Sequence, residues 1–371
     1  MKVILFIGHF KTGSTSLQRF LSRNFHALLK AGILYPSVES QGVAHNMAAL
    51  RNGRDFDWIS DKLNVTEPHN ALALVLKTEE DSHGVPHYYE KVPSGFQMFE
   101  MIENQIKALE PKALLICSEV FALFSHTEQQ KSIARLANRL AHHDVTIYAN
   151  LRRPDNYLSS WHRQRLKFGE KIRPLRGEGF NHYSSSAHVQ HGKMVETWLE
   201  HFPKARVVVR NFDSFIKKGG VVQDFVKNSG ISFPSGLVDP GDFNPSIPSA
   251  FAEVGRRALV ELPRNQALEL VHNLIGGIKK VPHMPEADVE MFGTKNREIL
   301  VEHYQDSLKI IRRLSQNDHF FDDPADFGRV RAVTELDASN DCLPRLKTYL
   351  LNSKLSDDAH AWIRGYSNLQ E

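Results

Sequence analysis

A chain of 371 residues is long enough for one large α/β domain or two ordinary ones, and 41% hydrophobic with 24% charged residues is an ordinary globular balance. A net charge of +3 suits an anionic ligand but lacks the clustered basic stripe that nucleic-acid binding demands. Two cysteines, Cys117 and Cys342, exclude a disulfide framework, and no apolar run approaches the roughly 20 residues of a membrane span, so a cytoplasmic protein is expected.

Residues 3–7 are apolar at every position, as in a strand buried on both faces of a parallel sheet. The run stops at Gly8, His9 and Lys11, too early for the roughly 7–15 apolar residues of a signal peptide. Leu17, Phe20, Leu21, Phe25, Leu28 and Leu29 then recur at helical steps, and Gly32 closes that helix. Residues 37–96 are polar and weakly periodic, and read as an insertion carrying short helices and acceptor contacts. Further strands are expected at 113–117, 145–151 and 205–210, separated by helices at 98–109, 129–140, 154–168, 189–201 and 221–228. Residues 246–371 read as a mostly helical extension packed on a domain spanning 1–245. The fold class is therefore α/β, a central parallel sheet flanked by helices.

The turn after the first strand carries chemistry. Gly8-x4-Gly13-Ser14-Thr15 has the spacing of a P-loop, but Ser14 stands where lysine is usual and the lysine lies inside the loop, at Lys11. Backbone N–H groups around residues 11–16 can still surround an anion, aided by the helix dipole. Each charge-assisted bond is worth about 1.5–3 kcal/mol. The plainer reading, a polar turn capping a helix, is weakened by the buried strand before it and the amphipathic helix after it. The displaced lysine sits better against a leaving group in front of the loop than against a γ-phosphate.

Lys11, Thr12, Gly13, Ser14 and Thr15 match in order a K-[ST]-G-[ST]-T core, and in this the chain resembles the sulfotransferase family, whose members use 3′-phosphoadenosine 5′-phosphosulfate (PAPS). The resemblance implies that residues 11–16, Ser16 included, hold the 5′-phosphosulfate. It also demands an arginine at the end of a later strand, a proline soon after, and a serine eight residues on for the 3′-phosphate. Arg152, Pro154 and Ser160 answer that demand, with Arg153 and Ser159 as near misses one register away. Trp198-x3-Phe202-Pro203, the segment 207–213 and Asp224-Phe225 look like the later core of bacterial sulfotransferases, so the likeness spans about residues 1–248. The family's late R-K-G-x-x-G loop is only imitated by Lys217-Lys218-Gly219-Gly220, which reads as a turn.

Sulfuryl transfer needs a base for the acceptor's proton. Glu119 follows the strand at 113–117 and should emerge beside the loop. His45, placed at the start of a helix in the insertion, is the competing base or an acceptor ligand. No metal is expected, because His142-His143 and His188-x2-His191 lack cysteine or carboxylate partners at metal spacing. Arg163, Arg165 and Lys167 read as a solvated helix face. The resulting expectation is a sulfotransferase acting on a hydroxyl or amine, with a small-molecule or oligosaccharide acceptor. The rivals are a P-loop kinase using ATP and Mg²⁺ and an inactive nucleotide-binding relative.

Overall fold

The structure, a computed structural model, describes residues 1–53, 62–81, 84–86, 89, 92–126, 130–239, 241, 246–321 and 324–369. In chain order it runs β1 (Lys2–Phe6), α1 (Ser14–Arg23), α2 (Phe25–Lys30), β2 (Ile33–Leu34), α3 (Ser40–Asn52), α4 (Leu63–Thr66), α5 (Pro68–Asp81), α6 (Gly95–Leu109) and β3 (Ala113–Cys117). A 3-10 turn (Glu119–His126), α7 (Lys131–Leu140), β4 (Asp144–Leu151), α8 (Pro154–Lys167), α9 (His191–His201), β5 (Arg206–Asn211), α10 (Phe212–Phe215) and α11 (Gly220–Asn228) follow. The rest is α12 (Ser249–Glu261), α13 (Arg264–Gly277), β6 (Val289–Glu290), α14 (Gly293–Ser315), α15 (Pro324–Gly328), β7 (Val333–Thr334), α16 (Glu335–Leu351) and α17 (Asp357–Gly365).

The chain groups into two compact units. The first is Met1–Arg153, Gln190–Phe243 and Asp306–Asp322; the second is Pro154–Val189, Asn244–Gln305 and Asp323–Glu371. The expected boundary at residue 245 lies outside the described residues, as do parts of the polar insertion.

The first unit is built on five parallel strands in the order β2-β3-β1-β4-β5. β1 sits centrally because its residues after Lys2 are wholly apolar and buried, which only a strand covered on both faces can satisfy. Its pleat sends Ile4 and Phe6 to one face, where they meet Leu17, Phe20 and Leu21 of α1 and Val221, Val222 and Phe225 of α11. Elsewhere in the unit Trp198 of α9 stacks within 6.1 Å of Phe124 and Phe202 and donates its indole N–H to the Phe121 carbonyl at 3.3 Å. The chain leaves β1 toward β2 and β3 but leaves β4 toward β5. Adjacent strands with diverging connections open the crevice where α/β sheets bind ligands.

Two expectations needed revision. The single helix expected to run up to Gly32 is two, broken at Asn24. There the side-chain amide donates to the carbonyls of Phe20 and Val238, at 2.8 and 2.9 Å, and accepts from the Val238 N–H at 2.8 Å. The edge strand β2 is two residues long, too short for periodicity to reveal. The second unit is mostly helical, with α12 packed on α13 and α16, and has a short parallel β6–β7 pair.

Candidate active site

The loop after β1 continues the sheet before it turns. Ile7 donates to the Tyr148 carbonyl at 3.0 Å, His9 donates to that of Asn150 at 2.7 Å, and Asn150 donates back to Gly8 at 2.7 Å. The loop is thereby stitched to the end of β4, two residues before Arg152. Both sequence motifs assigned to the nucleotide thus share one sheet edge through Lys11 and Arg152.

Inside the loop, Thr12 donates its hydroxyl to the His9 carbonyl at 2.5 Å, and Phe10 N–H donates to His9 Nδ1 at 2.8 Å. Lys11, half-buried, has φ 57° and Gly13 has φ 83°, so the turn passes through left-handed conformations on either side of Thr12. Gly13 is required twice over, since a Cβ there would also lie 2.8 Å from a methyl of Val221. Helix α1 then starts at Ser14, and its first regular backbone bond to the loop is Leu17 N–H to Gly13 at 3.0 Å. The amides of Ser14, Thr15 and Ser16 precede that bond, in the stretch of helix that has no intrahelical acceptors. Those amides suit an anion in front of the loop.

The strand-end acid lies where expected. Ser118 N–H donates to the Phe6 carbonyl at 3.1 Å, extending β3 beside β1, and Glu119 follows at the head of the 3-10 turn. Its backbone packs under Gly8, where a Cβ would come within 3.2 Å of the Glu119 carbonyl oxygen. Its carboxylate accepts from Gln18 Nε2 at 2.8 Å, from Asn70 Nδ2 at 3.3 Å and from the Ser14 hydroxyl. Burial pushes this carboxyl above its ordinary value, and these donors pull against that rise. The hydroxyls of Thr12 and Ser14 both serve protein groups, so the loop's offer to an anion rests mainly on backbone N–H groups and Lys11.

A second acid beside Glu119 was not anticipated. Glu67, between α4 and α5, is buried and accepts from Asn70 Nδ2 at 2.8 Å. Burial, then the Glu119 charge, pushes its carboxyl up to about 7. In sequence it reads as an acid before Pro68 at a helix start, a common capping pattern, inside the segment assigned to acceptor contacts.

The remaining candidates fall as follows. Arg152, a quarter exposed, has Nε 3.4 Å from Asp213 Oδ1, and its guanidinium lies 5.2 Å from the centre of the Phe212 ring. Arg153 is buried, and its N–H donates to Asp213 Oδ2 at 3.3 Å. Ser160, on α8 in the second unit, has its hydroxyl 3.1 Å from that of Ser246. His45 does not begin a helix: α3 starts five residues earlier and is capped by Glu39, leaving His45 half-buried in the second turn. Donors to Glu119 come instead from α1 and α5. Arg163 corrects the idea of a solvated face, because it is buried against the Ser159 and Ile247 carbonyls and paired with Glu286 at 2.5 Å. His188 stacks on Tyr157 and Trp161, within 5.9 Å of each. Lys217 and Lys218 close a short turn followed by left-handed Gly219 and by Gly220, the first residue of α11.

Among the described residues there is no cluster of three or more His, Cys, Asp or Glu placed to hold a metal ion, and no helix is long and apolar enough to cross a membrane. No protein-family model, curated protein or solved structure matches the chain.

Proposed function

We propose that this chain is a sulfotransferase moving a sulfuryl group from PAPS to a hydroxyl or amine acceptor, with a carbohydrate as the favoured class. The observation that carries the reading is the phosphate loop with its lysine displaced to Lys11, stitched to the strand that ends just before Arg152, with the Glu119 carboxylate bonded to Gln18 of α1. In this reading Lys11 and the amides of residues 12–16 hold the 5′-phosphosulfate, and Arg152 takes the 3′-phosphate. The sequence motif adds Ser160 for the same phosphate. The acceptor oxygen attacks sulfur in line as the sulfur–oxygen bond to the leaving phosphate breaks. Lys11 offsets charge growing on that phosphate, and Glu119 takes the acceptor's proton. A cytoplasmic setting, where both buried cysteines stay reduced, belongs to the same reading.

Calorimetric titration with 3′-phosphoadenosine 5′-phosphate (PAP) and with ATP, each with and without Mg²⁺, tests the donor. Tighter binding of PAP, indifferent to Mg²⁺, is expected; preference for ATP with Mg²⁺ sinks the reading in favour of a kinase. Labelled PAPS incubated with pools of glycans, phenols and alcohols then identifies the acceptor. With that acceptor, Lys11→Ala and Glu119→Gln each slow transfer by about 10²–10⁴-fold. Full activity in Glu119→Gln moves the base to His45.

A further inference from the structure

Asn70 occupies an unusual position between two acids. Its Nδ2 donates to Glu67 Oε2 at 2.8 Å and to Glu119 Oε1 at 3.3 Å. Its Oδ1 accepts from the Ser118 hydroxyl at 2.6 Å and from Gln18 Nε2 at 3.3 Å. Gln18 Nε2 in turn donates to Glu119 Oε2 at 2.8 Å, and Val120 N–H donates to the Ser118 hydroxyl at 3.1 Å. Every bond in this set agrees on one orientation of the Asn70 amide: oxygen toward two donors, nitrogen toward two carboxylates. One amide nitrogen thus spans both acids.

Two carboxylates clamped this closely in a mostly buried pocket resist carrying two charges at once. We propose that Glu67 and Glu119 form a carboxyl pair clamped by Asn70 that shares a single proton, with Glu67 as the positioning residue that holds it and leaves Glu119 ionised. The assignment of the proton follows the donors. Glu119 accepts from Ser14, Gln18 and Asn70, all of which favour its anion. Arg19 of α1 favours the Glu67 anion, whereas burial keeps Tyr35 and Cys117 neutral and both neighbouring acids reinforce that. His69, buried with Nδ1 accepting from the Cys117 N–H at 3.1 Å, is pushed down to about 3 and is neutral too.

The pairing rests on the sulfuryl-transfer reading for its purpose. There the acceptor's proton moves to Glu119 as the new sulfur–oxygen bond forms, and PAP leaves with the old bond's electrons. The proton already on Glu67 stays in place. Ionised Glu119 is therefore the form ready to react, and Glu67 maintains it.

Carboxyl ¹³C NMR of the full chain labelled at glutamate Cδ, followed from acid to mildly alkaline pH, tests the pair without any substrate. In the wild-type chain two resonances should titrate near 7, those of Glu67 and Glu335, and only the first should be absent from Glu67→Gln. In Glu119→Gln the Glu67 midpoint should fall by about one pH unit or more, since the like charge is gone. Asn70→Ser, checked for folding by circular dichroism, should alter both midpoints together. Independent titration of the two acids near their ordinary values, or an unmoved Glu67 in Glu119→Gln, overturns the pairing. PAP calorimetry on the wild-type chain runs alongside. Loss of PAP binding with coupled titration intact fails the sulfuryl-transfer reading alone, and independent titration with PAP bound fails the pairing alone.

Discussion

Each unit buries a group of acids, and the two groups are held in opposite ways. In the first unit Glu67 and Glu119 are held largely by neutral donors, from Asn70, Gln18 and Ser14. In the second, Arg297 spreads its guanidinium over Glu290, with Nε and Nη2 each at 3.0 Å. It also reaches Asp155 at 3.3 Å and donates to the Phe327 carbonyl at 2.9 Å. Burial pushes Glu67 and Glu290 up alike, but the arginine pulls Glu290 below its ordinary value whereas Glu67 rises to about 7. A neutral donor offsets desolvation in part and leaves an acid able to trade a proton near neutral pH; a buried arginine removes that freedom. Glu335 shows the limit of the rule: burial and the nearby Glu253 charge take it to about 7 although Arg176 reaches it at 3.0 Å.

The sharpest way to break the contrast is Arg297→Ala. Asp155, Glu290 and Arg297 expose no more than 4% of their side chains, so removing the cation strands two buried carboxylates. A loss of about 3–5 kcal/mol is expected in chemical denaturation. A loss below about 1 kcal/mol, the range of a surface pair, would mean that the second unit does not depend on this cation.

Glu67 and Glu290 should also make stability respond to pH with opposite sign. The Glu67 value is raised from 4.5 to about 7, so its folded form binds the proton more tightly than the unfolded chain does. That stabilisation is fully present below about 4.5 and is lost as pH rises through about 7, with a ceiling of about 3 kcal/mol for such a shift. Glu290, lowered, contributes above its ordinary value and loses that contribution as pH falls. Denaturation midpoints near about pH 3, 5 and 8 read both effects, the lower step reporting Glu290 and the upper step Glu67. Glu67→Gln should gain on the wild-type chain as pH rises, and Glu290→Gln should lose. Parallel curves for Glu67→Gln would show that its proton is not held by the fold.

The sheet was readable from the chain because β1 after Lys2 and β3 are apolar runs, β4 carries strand-forming Val145, Thr146, Ile147 and Tyr148, and the order of strands and helices allowed few topologies. Lys11, Gly13 and Arg152 were readable because they follow strands directly, where the backbone sets their place. Glu67 and Asn70 were not. They lie about 50 residues before Glu119, in a polar segment, and come near it only because α5 packs on β3 and the 3-10 turn that follows. The same limit explains Arg163, whose burial comes from partners at Ile247 and Glu286 that no local pattern signals.

A smaller effect separates the two kinds of arginine. Arg152 is a quarter exposed and its Nε lies 3.4 Å from Asp213, a looser pair than those of Arg297. Arg152→Ala should change stability by less than about 1 kcal/mol. Loss of charge-assisted bonds to the 3′-phosphate should instead weaken PAP by about 10–150-fold, the equivalent of about 1.5–3 kcal/mol. Adenosine 5′-phosphosulfate, lacking that phosphate, should bind wild-type and variant alike. Equal weakening of both ligands would remove Arg152 from the 3′-phosphate.

Ser14 carries the smallest effect and the finest distinction, since it belongs to both the loop and the carboxyl pair. Its amide lies at the head of α1 while its hydroxyl donates to Glu119. Ser14→Ala keeps the amide, introduces a better helix former and deletes only the hydroxyl. If the hydroxyl serves the carboxylate, stability falls by about 0.5–1.5 kcal/mol, the worth of one such bond, and the Glu119 midpoint rises because its anion has lost a donor. PAP affinity then stays close to that of the wild-type chain, because the anion is held by backbone and Lys11. If the hydroxyl turns to the phosphate when PAP binds, affinity falls about tenfold or more. The first pattern is expected, since the protein already commits the Thr12 and Ser14 hydroxyls to its own groups. Calorimetry and carboxyl NMR on this one variant tell the two apart, and with them whether loop and acids act as one site.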